Sequence, residues 1–256
     1  MKKRNHAFVI LIILSALLLL AGVSILAIPT CNRLANEAQA EHVVESFYRA
    51  YHPQLLVPVL ETQPMQENLA EVSTAPIHPE LRAAMEAYNI EIYSNRQSGL
   101  ADPWCYTAPV LDLHDYGIAD EAVGVLSIPK MEFDEPLYLG ATMDHLERGA
   151  AQLSISSMPI GGVNTNCVIA GHRGWNGALH FRHIELLEVG DEITLTNFWD
   201  TLHYEVVEIK TIEPYQPEEL LIQEGRDLLT LVTCHPYGSG GRYRYVVYCE
   251  RKEKEE

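Results

Sequence analysis

Positive charge is scarce in this chain beyond its first few residues. Lys2, Lys3 and Arg4 open the sequence, and the chain beyond Ile28 carries 15 basic against 35 acidic residues, a net charge of −20. A surface of that sign repels phosphate backbones and anionic lipid, so nucleic-acid binding is excluded as an expected function. Cysteine is sparse too. Five occur in 256 residues, at the irregular positions 31, 105, 167, 234 and 249, which is no dense disulfide framework. Free thiols are expected, with one bridge among Cys105, Cys167 and Cys249 left open by spacing alone. No glycine-rich loop opens a helix as a phosphate cradle must, because Gly238, Gly240 and Gly241 follow a cysteine instead. No internal repeat is present and no cofactor is implied. His180, His183 and Glu185 form a lone His-x-x-His with no accompanying ligand set, so no metal is expected.

Long apolar runs are equally rare, with a single instance. Ala7 to Ile28 is 22 residues without a charge, enough at about 1.5 Å per residue to cross a hydrocarbon core of about 30 Å. The basic residues before it put the N-terminus in the cytoplasm and the rest of the chain outside. A cleaved secretory signal is the competing reading, but its apolar region is usually shorter, about 7 to 15 residues. An uncleaved anchor is therefore expected, preceded by a basic tail at 1–6.

After the anchor, Val43, Val44, Phe47 and Tyr51 recur at helical spacing beside Glu37, Glu41 and Glu45, which predicts an amphipathic helix from Cys31 to about Tyr51. Prolines at 53, 58, 64, 76 and 79 then interrupt regular structure, and Leu81, Met85 and Tyr88 mark a second helix over 79–92. Together 29–94 reads as a juxtamembrane helical region. A polar stretch at 95–117 contains Trp104 and Tyr106, loop aromatics of a kind that usually cover something. From Gly124 the pattern changes to short β-rich segments between turn signals, as in an all-β barrel or sandwich. Strands are predicted at 125–128, 137–139, 166–170, 192–197, 201–211, 227–233 and 242–248. Helical interruptions are predicted at 143–150, 179–187 and 217–221, and the charged end of the chain as a solvated tail.

Three side chains in this β region suggest covalent acyl chemistry. Leu228 to Thr233 reads as a buried strand, and Cys234 at its end precedes a turn-rich loop with room for a substrate. A cysteine in that position is most often a small buried hydrophobe; as a nucleophile it needs a partner that takes its proton or favours the thiolate. His172 supplies one, at the exit of the strand 166–170 and beside Gly171, which permits close backbone approach. Arg242 and Arg244, two apart on the returning strand, point to one face by strand periodicity, and either guanidinium suits a developing oxyanion.

With these residues in view, Thr230-Leu231-Val232-Thr233-Cys234 resembles the catalytic signature of sortases, membrane-anchored cysteine transpeptidases of Gram-positive bacteria. The resemblance runs from about Tyr88 to Tyr248. Ser127-Ile128-Pro129-Lys130 followed by Pro136-Leu137-Tyr138 is similar to the family's Ile-Pro-Lys segment. Pro159-Ile160-Gly161-Gly162 through Gly171-His172-Arg173-Gly174 is similar to the segment with the catalytic histidine, and Leu187-Glu188-Val189-Gly190-Asp191 to a later turn. Asp102-Pro103-Trp104 resembles the lid of class C, pilin-polymerising sortases.

The resemblance implies a mainly β fold, a closed barrel of about eight strands over 118–250 with short helices, preceded by N-terminal helices and a lid loop at 95–117 and followed by a charged tail at 251–256. It implies Cys234 as nucleophile and His172 as acid and base. Arg244 aligns with the family's arginine if the loop carries a one-residue insertion, and Arg242 stays a rival. Asp102 would occupy the guanidinium and Trp104 would cover the thiol, while Thr233 adds a supporting contact. The implied partners are sorting signals of pilins or surface proteins and an amine acceptor, either a pilin lysine or a peptidoglycan precursor. Pilus assembly is the expected role. The alternatives are a housekeeping sortase that anchors surface proteins to the cell wall, and a noncatalytic membrane-tethered assembly domain.

Overall fold

A computed structural model describes residues 2–56, 77–98, 108–119 and 121–252. The first element is a 50-residue helix, α1, Lys2–Tyr51. The sequence suggests an anchor and a separate juxtamembrane helix divided near Pro29; the structure runs them together. One proline removes a single hydrogen bond, and the good helix formers on both sides outweigh that loss. The helix from Phe8 onward is long and apolar enough to cross a membrane, and its apolar part, Phe8 to Ile25, is exposed.

Helix α2, Pro79–Ser94, buries Leu81, Met85, Asn89 and Ile92 on one face. Eight strands follow: β1 Ala122–Ile128, β2 Phe133–Leu139, β3 Ala150–Gln152, β4 Thr165–Ala170, β5 Glu192–Asn197, β6 Thr201–Ile212, β7 Asp227–His235 and β8 Tyr243–Arg251. Helix α3, Met143–Arg148, joins β2 to β3 and is capped by Thr142, whose hydroxyl accepts from the His145 amide. Short 3₁₀ helices cover His180–Leu186 and Pro217–Leu220, where helical interruptions are predicted.

The strands close into a barrel in the order β1-β2-β3-β4-β7-β8-β6-β5, with β5 returning to β1. Pairing is antiparallel except for β2–β3 and β4–β7, which are parallel. Alternation along the strands sends Cys167, Ile169, Leu229, Leu231, Val247 and Cys249 into the main core. Their neighbours Val168, Val232, Val246 and Tyr248 enter a second cluster with Leu146 of α3 and Leu220 of the late 3₁₀ helix. Strands β4, β7 and β8 are thus buried on both faces, which is why Leu228 to Val232 reads as a continuous apolar run.

Seven strands stand close to their expected positions, and β3 is the addition. Its sequence, Ala-Ala-Gln, has no β-branched residue and no alternation to mark it. The charged end departs from expectation as well. Strand β8 continues to Arg251, Glu250 pairs with Arg226 at 2.8 Å, and Lys252 bridges Glu192 and Glu205 at 2.9 Å each.

The end of α1 is fastened to the barrel by an aromatic cluster. Phe47 and Tyr51 lie 5.5 and 4.7 Å from the ring of Phe198, and the His52 imidazole shares a 2.6 Å hydrogen bond with the carbonyl of Asn197. Truncating a buried phenylalanine leaves a cavity as well as losing transfer energy. Phe47→Ala should therefore destabilise the full chain in detergent by about 3 kcal/mol, read as a lower urea midpoint; an unchanged midpoint would show that α1 does not dock there.

Candidate active site

The backbone ladder brings the three candidate residues to one end of the barrel. Cys234 on β7 is the register partner of Arg244 on β8. On its other side β7 pairs with β4 in parallel, Val232 opposite Ala170. His172 lies two residues beyond Ala170, as Cys234 lies two beyond Val232, so His172, Cys234 and Arg244 follow one another across three adjacent chain segments. All three continue the parity of Val168, Val232 and Val246, the face of the second apolar cluster.

Local contacts fix this arrangement. The Gly171 amide donates to the Val232 carbonyl at 3.2 Å, and the buried Thr233 hydroxyl donates to the Gly171 carbonyl at 2.7 Å. Thr233 therefore ties the residue before the histidine to the residue before the cysteine. Gly171 has no room for a side chain, since a Cβ there would fall 2.7 Å from the ring of Phe181. The Phe181 amide in turn donates to the His172 carbonyl at 3.0 Å. A Cβ on Gly241 would meet Arg244 Nη1 at 2.9 Å and Cys234 Sγ at 3.3 Å, so thiol and guanidinium both crowd this bare glycine. Arg244 Nη1 also donates to the Gly241 carbonyl at 2.7 Å.

Arg242 stands elsewhere. It precedes β8 in an exposed bend, outside the alternation that the sequence suggests for the arginine pair. Asp102, Trp104 and Cys105 lie outside the described residues.

His172 is half-buried and stacks on Trp175, with ring centroids 4.7 Å apart and planes 18° from parallel. Desolvation, and then the charge of nearby His180, lower its pKa from the ordinary 6.5. Its Nε2 is buried and has no hydrogen-bond partner among the described residues. Behind the pair lies a clamp that sequence patterns do not reveal. Arg173, 5% exposed, donates to the Cys234 carbonyl at 3.4 Å, shares a 3.3 Å contact with His235 Nδ1 and forms a 2.5 Å ion pair with Glu185. One charged side chain thus spans from the segment bearing His172 to the end of β7. The adjacent charge in Gly171-His172-Arg173-Gly174 is the only sequence sign of it.

His180 and Glu185 have separate partners and form no joint metal site: His180 Nδ1 meets Glu135 at 2.8 Å, while Glu185 turns to Arg173 and His235. Glu121, Asp144 and His145 do gather metal-type ligand atoms. Arg148 already supplies the positive charge there, 2.6 Å from both carboxylates.

This geometry accompanies a clear kinship. A family profile for the sortase domain matches residues 126–252. The structure superimposes on that of Streptococcus agalactiae sortase C1 with a TM-score of 0.64 and 31% identity, covering 70% of this chain and 91% of that one. The chain belongs to the sortase family. Sortase C-1 from Actinomyces oris matches with a TM-score of 0.59 at 31% identity, covering 68% of this sortase and 99% of that chain. Other matched structures are also class C members, among them a pilus-related sortase C of Group B Streptococcus. One matched structure is a lid mutant of the S. agalactiae enzyme, so that protein possesses a lid. Among curated relatives, sortase D of Bacillus subtilis is 31% identical over 133 residues, 51% of this chain and 64% of its own length. Sortase A of Bacillus anthracis is 28% identical over 127 residues, 50% and 58%. The match thus spans less than two thirds of these curated relatives.

The described cysteines are all free, with Cys167 and Cys249 buried, Cys234 half-buried and Cys31 exposed. Burial raises the pKa of Cys167 and Cys249, which suppresses their thiolates. In the native protein, iodoacetamide should alkylate Cys31 and Cys234 while sparing Cys167 and Cys249 until denaturant is added. Peptide mass mapping checks this; native labelling of Cys167 or Cys249 would contradict the packing.

Proposed function

We propose that this sortase is a membrane-anchored cysteine transpeptidase of pilus assembly. Cys234 attacks the threonine carbonyl of a Leu-Pro-x-Thr-Gly-like sorting signal, and the amide bond breaks to leave a thioacyl enzyme. His172 protonates the departing amine and later takes a proton from the incoming one. Arg244 donates hydrogen bonds to the oxyanion or holds the substrate carbonyl, with Thr233 as support. A pilin lysine amine then attacks the thioester, joining the two proteins and freeing the thiol. The observation that carries this reading is the alignment of His172, Cys234 and Arg244 across neighbouring segments at one barrel end.

The remaining parts complete the proposal. α1 anchors the enzyme with its basic tail in the cytoplasm and the barrel outside. The segment 95–117 acts as a lid, Asp102 engaging the catalytic guanidinium and Trp104 shielding the thiol. The matches to sortase A proteins favour a second reading, cell-wall anchoring with a peptidoglycan amine as acceptor. The two separate on whether deletion shortens pili or releases many surface proteins.

Mass spectrometry of the enzyme mixed with a sorting peptide should find the acyl adduct on Cys234. Cys234→Ala should lose adduct and product together, and continued polymerisation by that variant would falsify the mechanism. Replacing Asp102 and Trp104 together should raise both alkylation of Cys234 and hydrolysis of the peptide; unchanged rates would remove the lid.

The lowered pKa of His172 also sets a pH dependence. Turnover requires thiolate and imidazolium at once, and because thiols as a class ionise at higher pH than imidazolium does, molecules holding both are a minority. A depressed histidine pKa thins that minority and moves the acid limb of the rate profile to lower pH. The acid limb of kcat/KM should therefore fall below pH 6.5, and His180→Gln should move it upward by removing one of the two causes. A limb at or above 6.5 in the native enzyme contradicts this assignment.

A further inference from the structure

Shortly after His172 the chain turns back on itself in two residues. The Trp175 amide donates to the Ala178 carbonyl at 3.0 Å and the Ala178 amide to the Trp175 carbonyl at 2.8 Å, with Asn176 and Gly177 at the tip. Both tip residues have positive φ, +44° and +92°, the conformation that Asn-Gly favours in a tight hairpin. The Phe181 amide donates to the His172 carbonyl at 3.0 Å, so the excursion is closed at its base as well. A turn braced twice in this way shifts as one piece.

Helix α1 meets the tip of this turn. Pro29, Asn32, Arg33 and Asn36 recur at helical spacing along one side of it. Asn32 Nδ2 donates to Asn176 Oδ1 at 3.0 Å, and Asn36 Nδ2 to the Asn176 carbonyl at 3.4 Å. A Cβ on Gly177 would fall 2.8 Å from the Pro29 carbonyl oxygen and 3.0 Å from the Arg33 nitrogen, so backbone lies against backbone. The same side of the helix continues through Ala40 to Val44 and Phe47, which are buried. One residue before the tip, the Trp175 ring stacks on the His172 ring. The indole is 39% exposed, so core packing alone does not hold it. Its place comes from the hairpin, and the place of the hairpin from α1.

We propose that Trp175 is a positioning residue for His172, and that helix α1 seats it by gripping the tip at Asn176 and Gly177. The inference rests on the transpeptidase reading, in which His172 gives a proton to the departing amine and takes one from the incoming amine. Proton transfer depends on the direction of a ring nitrogen as well as on its distance. A flat indole against one face restricts rotation of the imidazole and leaves the ring edge for the proton. Trp175 touches no substrate atom in this role and acts only through the ring it holds. The helix proposed as the anchor thereby becomes a working part of the site, because the contacts that seat it also set the acid and base.

The test is the rate of thioacyl formation on Cys234 as a function of sorting-peptide concentration, followed by mass spectrometry on the full-length enzyme in detergent. Trp175→Ala should lower the limiting rate about tenfold and leave the half-saturating peptide concentration unchanged, and Trp175→Phe should recover all but about twofold. Trp175→Leu keeps bulk without the flat ring and should match the alanine variant, which covers the case in which alanine costs the fold. Asn32→Ala/Asn36→Ala should lower the limiting rate about threefold in the native background and not at all beside Trp175→Ala, since contacts acting through one ring are not additive. Leu34→Ala, exposed on another side of the same turn of helix, should leave the rate unchanged. An unmoved rate in the asparagine pair, an equal fall in Leu34→Ala, or the same fall with and without Trp175 would overturn the seat. A Trp175 effect confined to the half-saturating concentration would overturn the positioning role. Absence of the thioacyl mass from the native enzyme refutes the transpeptidase reading itself, whereas its presence with unmoved rates in the variants refutes only this inference.

Discussion

The parallel pairing of β4 with β7 is the constraint on which the rest of this structure depends. Parallel neighbours end at the same edge of a sheet, so His172, just past the end of β4, and Cys234, near the end of β7, are delivered side by side although 62 positions apart in the chain. Antiparallel β8 then returns to the same edge directly after the loop that follows the cysteine. A register slip of one residue in either ladder would turn a candidate side chain to the opposite face. The double burial of β4, β7 and β8 guards against such a slip, because it would force Thr230, Thr233 and Asn166 to exchange places with leucine and valine.

Polar groups within the core reinforce the same register. Thr230 donates to the Asn166 side chain at 2.7 Å, and that amide reaches the Leu220 carbonyl at 3.0 Å. Both residues are fully buried, where an unmatched polar group is expensive. At the barrel end, Thr233 and Arg173 repeat the same logic with backbone carbonyls as acceptors. The thiol and imidazole thus belong to a lattice of strands and buried hydrogen bonds, while the Trp175 ring and the arginine side chain are set by loops around it.

Much of this is legible in the sequence for definite reasons. Apolar runs such as Leu228 to Val232 declare strands buried on both faces, and the glycines at 171, 238, 240 and 241 mark where strands stop. Periodicity identifies the buried face of α2 through Leu81 and Met85. The features that stay hidden depend on contacts distant in sequence. β3 is a strand only because β2 and β4 hold its backbone on both sides. Arg242 and Arg244 look equivalent in a period-two pattern, and only the place where β8 begins separates them. The clamp by Arg173 is invisible because its partners, Glu185 and the Cys234 carbonyl, have no pattern linking them to it. The unity of α1 is likewise hidden by Pro29, a local signal overruled by its surroundings.

The loop that follows His172 also touches α1. Asn32 donates to the Asn176 side chain at 3.0 Å, Asn36 to its carbonyl at 3.4 Å, and the backbone of Pro29 and Arg33 leaves no space for a side chain on Gly177. These contacts start at the first residue after the apolar run and end about 12 Å along the helix from it. With α1 as the proposed anchor, this seat gives the enzyme a fixed working height: a rigid rod, not a tether, holds the histidine loop close above the lipid surface. A substrate lying at the bilayer would meet the proposed site at that level, whereas one free of the bilayer would have to descend to it.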